Sequence, residues 1–138
     1  MTIPFYIVDV FAEKKYAGNQ LAVFLADEKL SDIKMQEIAR EINFAESTFV
    51  TAIDSKRKTA TIRIFTPQQE MQFAGHPIIG TSWVLMNKIF ENYPQNIALS
   101  VPIGEIPVRQ EKDLTWLQAA QPTFLETFIA EDFISFTN

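Results

Sequence analysis

The segment QFAGHPIIGTSWVLMNKIF, from Gln72 to Phe90, contains a predicted helix that has no polar face. Proline is favoured in the first turn of a helix, so Pro77 predicts the helix start and His76, just before it, is predicted as the N-cap. The polar residues of the helix predicted over 77–90 are few and scattered: Thr81, Ser82, Asn87 and Lys88. A helix that is apolar on nearly every side must be buried on nearly every side. The rest of the chain therefore has to enclose it.

The composition is that of a single globular domain and excludes several classes of function. The chain has 138 residues, of which 47% are hydrophobic and 21% charged, enough for a sizeable core. Its net charge of −5 argues against nucleic-acid binding, and its one basic cluster, at 56–58, is interpreted as a solvated turn. The absence of cysteine excludes disulfides, thiolate metal sites and thiol nucleophiles, and one histidine excludes a His-rich metal site, so we expect no metal.

Neither the opening residues nor the apolar runs predict a membrane or a secreted protein. The opening MTIPFYIVDVFAEKK lacks the basic start and small-residue cleavage site of a secretory signal. The longest uncharged run, Met71 to Asn87, contains Gly, His and Pro and is a poor membrane span. We therefore expect a cytoplasmic protein.

Around the apolar helix the sequence predicts strands and one further helix. Ser31 is predicted to cap a one-sided surface helix whose apolar residues recur at helical spacing: Met35, Ile38, Ala39 and Ile42. Strands are predicted at 3–11, 20–26, from 47 onward, at 59–66, at 114–120, and as two short strands around Gly104. Trp83 and Trp116 are predicted in the core. The expected fold class is α+β, with a β-sheet rolled around a central hydrophobic helix and one surface helix beside it.

Glu46 and His76 are the residues best suited to proton transfer. Glu46 lies in NFAESTFV, among apolar residues at a helix-to-strand junction, where a partly desolvated carboxyl could exchange a proton near neutrality. Alternatively it is an exposed glutamate that binds nearby backbone. His76, at the predicted helix start, could relay a proton or donate to an anion held by the free backbone N–H groups there, or it could simply cap its own helix.

Two further residues could contact a ligand. Gly75 would let the backbone approach a ligand closely, and Asn19 could present its amide. Each has a simpler interpretation, since glycine and the Gly-Asn pair are both common in turns.

Taken together, four segments resemble the N-terminal half of the PhzF family, the phenazine-biosynthesis-like isomerases that share the diaminopimelate epimerase fold. The segments are YAGNQLAVF, MQEIAREINFAESTFV, IRIFTPQQEMQFAGHPIIGTSWVL and WLQAAQPTF, in family order over residues 3–125. One departure is GNQ, at 18–20, where GNP is more usual. The resemblance implies a fold of two similar halves, each a sheet rolled around a hydrophobic helix.

The resemblance also implies an activity. Glu46 matches the catalytic glutamate, which moves a proton along a small unsaturated cyclic acid, whereas Gly75, His76 and, in GNQ, Asn19 are expected beside that carboxylic acid substrate. The family uses no metal and no organic cofactor, so none is expected.

The length of the chain leaves three interpretations open. Residues 1–122 correspond to the N-terminal domain, and 123–138 to an interdomain connector and the start of a second half that is cut short. The chain could be an isomerase that works as a homodimer or with a complementing second half. It could also be a non-catalytic remnant or a small-acid binding module. The third interpretation is a fold-only subunit that assembles through its terminal phenylalanines: Phe124, Phe128, Phe133 and Phe136.

Overall fold

The computed structural model describes residues 2–26, 30–119 and 121–122. The elements along the chain are β1 (Phe5–Val10), β2 (Asn19–Leu25), α1 (Asp32–Ile42), β3 (Glu46–Asp54), β4 (Thr59–Phe65), β5 (Glu70–Met71), α2 (Gly75–Val84), a π-helical turn (Leu85–Ile89), β6 (Asn96–Val101), β7 (Gly104–Glu111) and β8 (Leu114–Leu117). The connector and second-half start predicted at 123–138 lie outside the described residues. No helix in the described part is long and apolar enough to span a membrane.

The strands form one mixed sheet whose order almost follows the chain, β1-β2-β3-β4-β6-β7-β8, with β5 attached to β4. The β2–β3 and β4–β6 pairs are parallel and the other pairs are antiparallel. Helix α1 makes the crossover between β2 and β3, as a parallel pair requires. This register pairs Leu21 with Glu46 on β3, and Ser47 with Phe65 on β4.

The sheet curls around α2, which confirms the predicted α+β fold with a rolled sheet around a hydrophobic helix. Alternate strand residues point to opposite faces, so β2, β3 and β4 each supply residues to two cores. The inner core joins α2 to the concave face and includes Leu21, Val23, Val50, Ile62, Ile64, Ile78, Val84 and Leu85. The outer core lies under α1 and includes Ala22, Phe24, Met35, Ala39, Phe49 and Phe65.

Helix α1 begins and ends as its sequence indicates. The Ser31 hydroxyl accepts from the Lys34 backbone N–H, which confirms the predicted N-cap. Asn43 ends the helix in the left-handed conformation, with φ 57° and ψ 29°, and its N–H donates to the Ala39 carbonyl. Asparagine tolerates this conformation better than most residues, so the chain can turn sharply here and enter β3.

The start of the central helix differs from its prediction. The N-cap is Ala74, and His76 lies inside the first turn of a helix that begins at Gly75. Pro77 did not fix the start, because all first-turn N–H groups lack an intrahelical acceptor and proline fits at any of these positions. The end differs as well, since α2 passes at Leu85 into a π-helical turn in which the Phe90 N–H donates to the Leu85 carbonyl.

Both tryptophans predicted in the core are partly exposed. Trp83 is 40% exposed and Trp116 is 50% exposed. Trp83 faces the gap between the two edge strands, β1 and β8, where the curled sheet leaves α2 uncovered. Trp116 is on β8, where an Arg109 guanidinium lies 5.8 Å from its ring centroid.

Gly80 allows α2 to lie close to the sheet. A Cβ placed there would come within 2.7 Å of methyl groups of both Leu21 and Val10. The position therefore requires glycine for packing, and the contact holds α2 against β1 and β2.

Candidate functional site

Glu46 is the first residue of β3 and lies on the concave face of the sheet. The left-handed turn at Asn43 leads the chain from α1 into this strand. Thr48 and Val50, at alternate positions along β3, are buried, and Val50 belongs to the core around α2. The Glu46 side chain is 20% exposed, so the carboxylate is at the rim of the core and still reaches solvent.

His76 reaches Glu46 because of the way the chain returns to the same end of the sheet. Strand β4 runs antiparallel to β3 and ends beside Ser47, so the segment from β4 to α2 crosses the end of the sheet where β3 begins. The first turn of α2 lies there, and His76 Nδ1 is 3.2 Å from Glu46 Oε2. The histidine side chain is only 9% exposed. Sequence alone predicted both residues but not their contact.

The two ring nitrogens of His76 have different surroundings. Nδ1 is at a distance from which it can donate a proton to the carboxylate. Nε2 is buried and has no hydrogen-bond partner among the residues that the structure describes. The contact of Nδ1 with Glu46 is at ion-pair distance, and it places the imidazole beside the carboxylate. This arrangement can hold the Glu46 carboxylate in one orientation.

The start of α2 offers free backbone donors beside this pair. Ala74 has no side-chain oxygen to cap the helix, and the first turn contains no acidic residue. The Ile78 N–H donates to the Ala74 carbonyl at 3.4 Å, whereas the N–H groups of Gly75 and His76 precede any intrahelical acceptor. Uncapped N–H groups and the positive end of the helix dipole together attract a carboxylate or another anion.

Gly75 keeps the space in front of these donors open. A Cβ built at Gly75 would have no heavy atom within 4 Å, and its backbone is not in the left-handed region. Neither packing nor conformation therefore requires glycine here, in contrast to Gly80. The space that a side chain would occupy is available to a ligand.

Asn19 lies at the same end of the sheet but does not join the cluster. It is the exposed first residue of β2 and pairs with Val10 of β1. It precedes Leu21, the partner of Glu46, by two residues, so both side chains belong to one face and are offset by roughly 7 Å along the strands. The structure thus brings together Glu46, His76 and Gly75, and places Asn19 nearby on the adjacent strand.

A groove in the described structure lies apart from this cluster. It has a volume of about 900 Å³ and lies between β1, α2 and β8, away from Glu46 and His76. The described residues also contain no group of three or more His, Cys, Asp or Glu side chains arranged to hold a metal ion. The cluster is therefore an open rim with a carboxylate, an imidazole and free amide donors.

The family model described as phenazine biosynthesis-like protein matches residues 8–131. Among curated relatives, the chain is 39% identical over 107 residues to an uncharacterised isomerase of Pasteurella multocida, covering 78% of this chain and 36% of that protein. It is also 39% identical over 108 residues to the trans-2,3-dihydro-3-hydroxyanthranilate isomerase of Pseudomonas aeruginosa, covering 78% and 37%. The chain thus spans little more than a third of the length of these relatives.

The chain is similar to solved structures of the same family, and more distant structures share its fold. A PhzF-family phenazine biosynthesis protein of Enterococcus faecalis superposes with a TM-score of 0.75 at 30% identity, covering 83% of this chain and 43% of that one. A hydroxyproline epimerase of Agrobacterium vitis superposes with a TM-score of 0.53 at 16% identity, covering 77% and 37%. The second likeness concerns the fold alone.

Proposed function

The chain belongs to the phenazine biosynthesis-like family, and we propose that it carries the proton-transfer half of an isomerase site for a small unsaturated cyclic acid. The observation that supports this most directly is the contact between Glu46 and His76 beside the uncapped start of α2. It combines a group that can carry a proton, a group that orients it, and donors that suit a substrate carboxylate.

The proposed reaction is a proton shift in which Glu46 acts twice. Its carboxylate removes a proton from one carbon of the acid, and the electron pair of that C–H bond enters the conjugated system. The resulting carboxylic acid returns the proton to another carbon, so the double bond moves and no atom is gained or lost. General acid/base catalysis of this kind requires the same group to be base first and acid second.

In this proposal the other residues bind the substrate or position Glu46. The N–H groups of Gly75 and His76 hold the substrate carboxylate, and the imidazole of His76 keeps Glu46 oriented. Asn19 contacts the substrate from the neighbouring strand. The groups that close the opposite side of the substrate come from polypeptide outside residues 1–138, or from a second copy of the chain. Enclosure and orientation can account for about 7–11 kcal/mol of barrier lowering, so the open rim alone should be a weak catalyst.

The open rim also favours a second candidate function, a binding module for small carboxylic acids with no catalysis. The free helix-start donors and the space at Gly75 serve binding whether or not a proton moves. The two candidates differ in the role of Glu46, because binding requires no proton carrier.

Solvent deuterium exchange distinguishes the two candidates. The protein is incubated in D₂O with trans-2,3-dihydro-3-hydroxyanthranilate, and deuterium incorporation and isomerisation are followed by NMR. We expect slow exchange in the wild type and none in Glu46→Gln, which keeps the shape of the side chain but cannot carry the proton. Binding of the acid should be nearly unchanged in this variant.

Two outcomes would count against catalysis by Glu46. Exchange that persists in Glu46→Gln would remove Glu46 from the mechanism. Binding of the acid with no exchange in the wild type, even with the C-terminal half of a full-length relative added, would favour the binding module. Glu105→Gln, on the exposed start of β7, is the matched control and should behave as wild type.

A further inference from the structure

The turn between β4 and β5 is closely hydrogen-bonded and leads directly to the start of α2. The Thr66 hydroxyl accepts from the N–H groups of Gln68 and Gln69, at 3.2 and 3.0 Å, and the Thr66 N–H donates to the Gln69 carbonyl at 2.9 Å. Only residues 72–74 lie between β5 and α2. Since three residues span at most roughly 10 Å, the position of β5 limits where the first turn of α2, and with it His76, can lie.

Side chains on α1 and β4 hold this turn in place. Gln36 Nε2 donates to the Thr66 carbonyl at 2.9 Å. Arg63 donates to both carboxylate oxygens of Glu70, at 2.8 and 2.6 Å, and to Asp32 on α1. Asp32 and Gln36 are four residues apart, so they lie on one face of the helix. We call Asp32, Gln36, Arg63 and Glu70 the outer brace, because they join α1 to the turn at two points.

The outer brace lies on the opposite face of the sheet from Glu46. Glu70 pairs with Phe65, which belongs to the core under α1. Arg63 precedes Phe65 by two residues on β4, and residues two apart on a strand share a face. Glu46 and His76 are on the concave face. The brace residues therefore do not contact a substrate held beside Glu46, and any effect that they have on the reaction passes through the chain.

The first residues of α2 depend on the segment that precedes them. Packing holds the body of the helix, since Ile78 is fully buried and Gly80 lies against the sheet. At its start, however, the N-cap Ala74 makes no side-chain hydrogen bond, and a Cβ at Gly75 would meet no heavy atom within 4 Å. The course of the chain through 72–74 therefore helps to fix the first turn relative to β3.

The same helix that anchors this turn also leads to Glu46. Helix α1 ends at Ile42, Asn43 turns the chain, and β3 begins at Glu46. Helix α1 is thus connected to Glu46 through the backbone and to the segment before His76 through the outer brace. Loosening the brace should change the separation of the two side chains.

We propose that Gln36 and Glu70 are positioning residues that keep His76 in contact with Glu46 from the opposite face of the sheet. Gln36 holds the turn through its amide, and Glu70 holds β5 through Arg63. A misplacement of about 1 Å can cost about 100-fold in rate, so such positioning matters for catalysis. The catalytic consequence rests on the proposed function, whereas the effect on the contact itself does not.

The NMR signals of His76 test the proposal, because it is the only histidine in the chain and the untagged protein gives a single imidazole. Glu46→Gln supplies the reference signal of an imidazole without its carboxylate. Gln36→Met removes the donor at similar length, and Glu70→Gln removes the charge that Arg63 binds. We expect each to move the imidazole signal toward the reference. In the Glu46→Gln background the same substitutions should add little further shift.

Three further variants make the test specific. Gln36→Lys keeps a donor of similar reach and should restore the wild-type signal. Arg63→Lys keeps the positive charge but loses the paired hydrogen bonds, so it tests the Glu70 contact a second time. Glu37→Gln makes the same chemical change as Glu70→Gln on the exposed side of α1, where it breaks the Lys34–Glu37 ion pair. It should leave the imidazole signal unchanged. Thermal unfolding confirms that each variant is folded at the temperature of measurement.

Deuterium exchange into trans-2,3-dihydro-3-hydroxyanthranilate measures the catalytic consequence. We expect the double variant Gln36→Met with Glu70→Gln to exchange at least about tenfold more slowly than wild type, because the carboxylate is no longer held in one orientation. Slower exchange with an unmoved imidazole signal would overturn the proposal, since the loss would not pass through the contact.

The imidazole signal decides the proposal without substrate. A signal that stays at its wild-type position in Gln36→Met, Glu70→Gln and Arg63→Lys would overturn it. An equal shift in Glu37→Gln would overturn it as well, because any change on α1 would then have the same effect. Absence of exchange in the wild type would count against the proposed function alone, since the shift still shows whether the outer brace sets the contact.

Discussion

Two glycines on α2 have opposite physical roles at the scale of single residues. Gly80 lies against Leu21 and Val10, whereas Gly75 faces open space. We expect Gly80→Ala to lower the free energy of unfolding by about 1–3 kcal/mol, because methyl groups must move to admit the Cβ. Gly75→Ala should change stability by no more than about 0.5 kcal/mol but weaken binding of a carboxylic acid. Thermal unfolding and titration with the acid measure the two effects.

The pair of variants is informative because each is the control for the other. A large loss of stability in Gly75→Ala would show that the helix start is packed and not available to a ligand. Unchanged acid binding in that variant would remove the start of α2 from the proposed site.

The sequence predicts which residues to consider for the candidate site, but not how they are arranged. Apolar neighbours and a helix-to-strand junction make Glu46 a candidate, and the place beside Pro77 makes His76 one, but these signals leave simpler interpretations open and the family resemblance is what favours a role in the site. Their 3.2 Å contact depends on β4 returning antiparallel to β3 and on the course of the segment before α2, which are tertiary features. The buried Nε2 of His76 likewise depends on packing around the helix, and no local pattern encodes it.

At the scale of elements, Arg63 ties α1 to the sheet. It donates to both carboxylate oxygens of Glu70 on β5, at 2.8 and 2.6 Å, and to Asp32 at the start of α1, at 2.6 Å. The hydrogen bond from Arg63, together with its charge, lowers the pKa of Asp32 below its ordinary value of 3.8. The same two carboxylates raise the pKa of Arg63, which stays protonated.

This ion pair predicts that the free energy of unfolding depends slightly on pH. A carboxyl group with a lowered pKa in the folded state stabilises the fold above its unfolded pKa, and the contribution is lost as pH falls through the lower folded value. Asp32→Asn should therefore be slightly less stable than wild type at pH 7. At strongly acidic pH the free energies of unfolding of the two proteins should become equal. The effect should be modest, because the Asp32 side chain is 79% exposed and solvent screens it.

Urea unfolding of both proteins between neutral and strongly acidic pH measures this difference. Glu105→Gln, which breaks no ion pair in the described structure, should show no comparable convergence. A constant difference between Asp32→Asn and wild type at every pH would mean that the contribution of Asp32 is not ionic.

Elements with strong local signals were predicted, whereas those that depend on tertiary contacts were not. The one-sided pattern and Ser31 gave α1, and alternation gave β4. β5, with two residues, is too short to have a pattern, and it exists because it pairs with β4. The residues of the π-helical turn at Leu85–Ile89 are all ones that an α-helix also accepts, so composition could not indicate where the helix widens.

At the scale of the whole molecule, the enclosed helix makes one position on α2 decisive for folding. Val84 is fully buried in the core that joins α2 to the sheet. We expect Val84→Asp to destabilise the protein by at least about 3–5 kcal/mol, since it places an unpaired charge in that core. The free energy of unfolding of such domains is about 5–15 kcal/mol. A domain near the lower end of this range would therefore be largely unfolded by the substitution. Circular dichroism during thermal unfolding measures the loss.

Lys88→Asp introduces the same side chain one helical turn further along, at an exposed position. Lys88→Asp should lower the free energy of unfolding by no more than about 1 kcal/mol, mainly because an acidic group near a helix C-terminus interacts unfavourably with the helix dipole. Equal thermal midpoints for Val84→Asp and wild type would contradict the enclosure of the helix.

The order of strands in the sheet also affects how the chain can fold. Apart from the short β5, each strand pairs with the one that precedes or follows it in the sequence, so the sheet can grow by adding one strand after another at its edge. Pairings between nearby segments require small loop closures and favour rapid folding. The longest step is from β4 to β6, and α2 lies in that interval. During synthesis, β1 to β4 can therefore assemble as they leave the ribosome, and β6, β7 and β8 can enclose the helix as they follow.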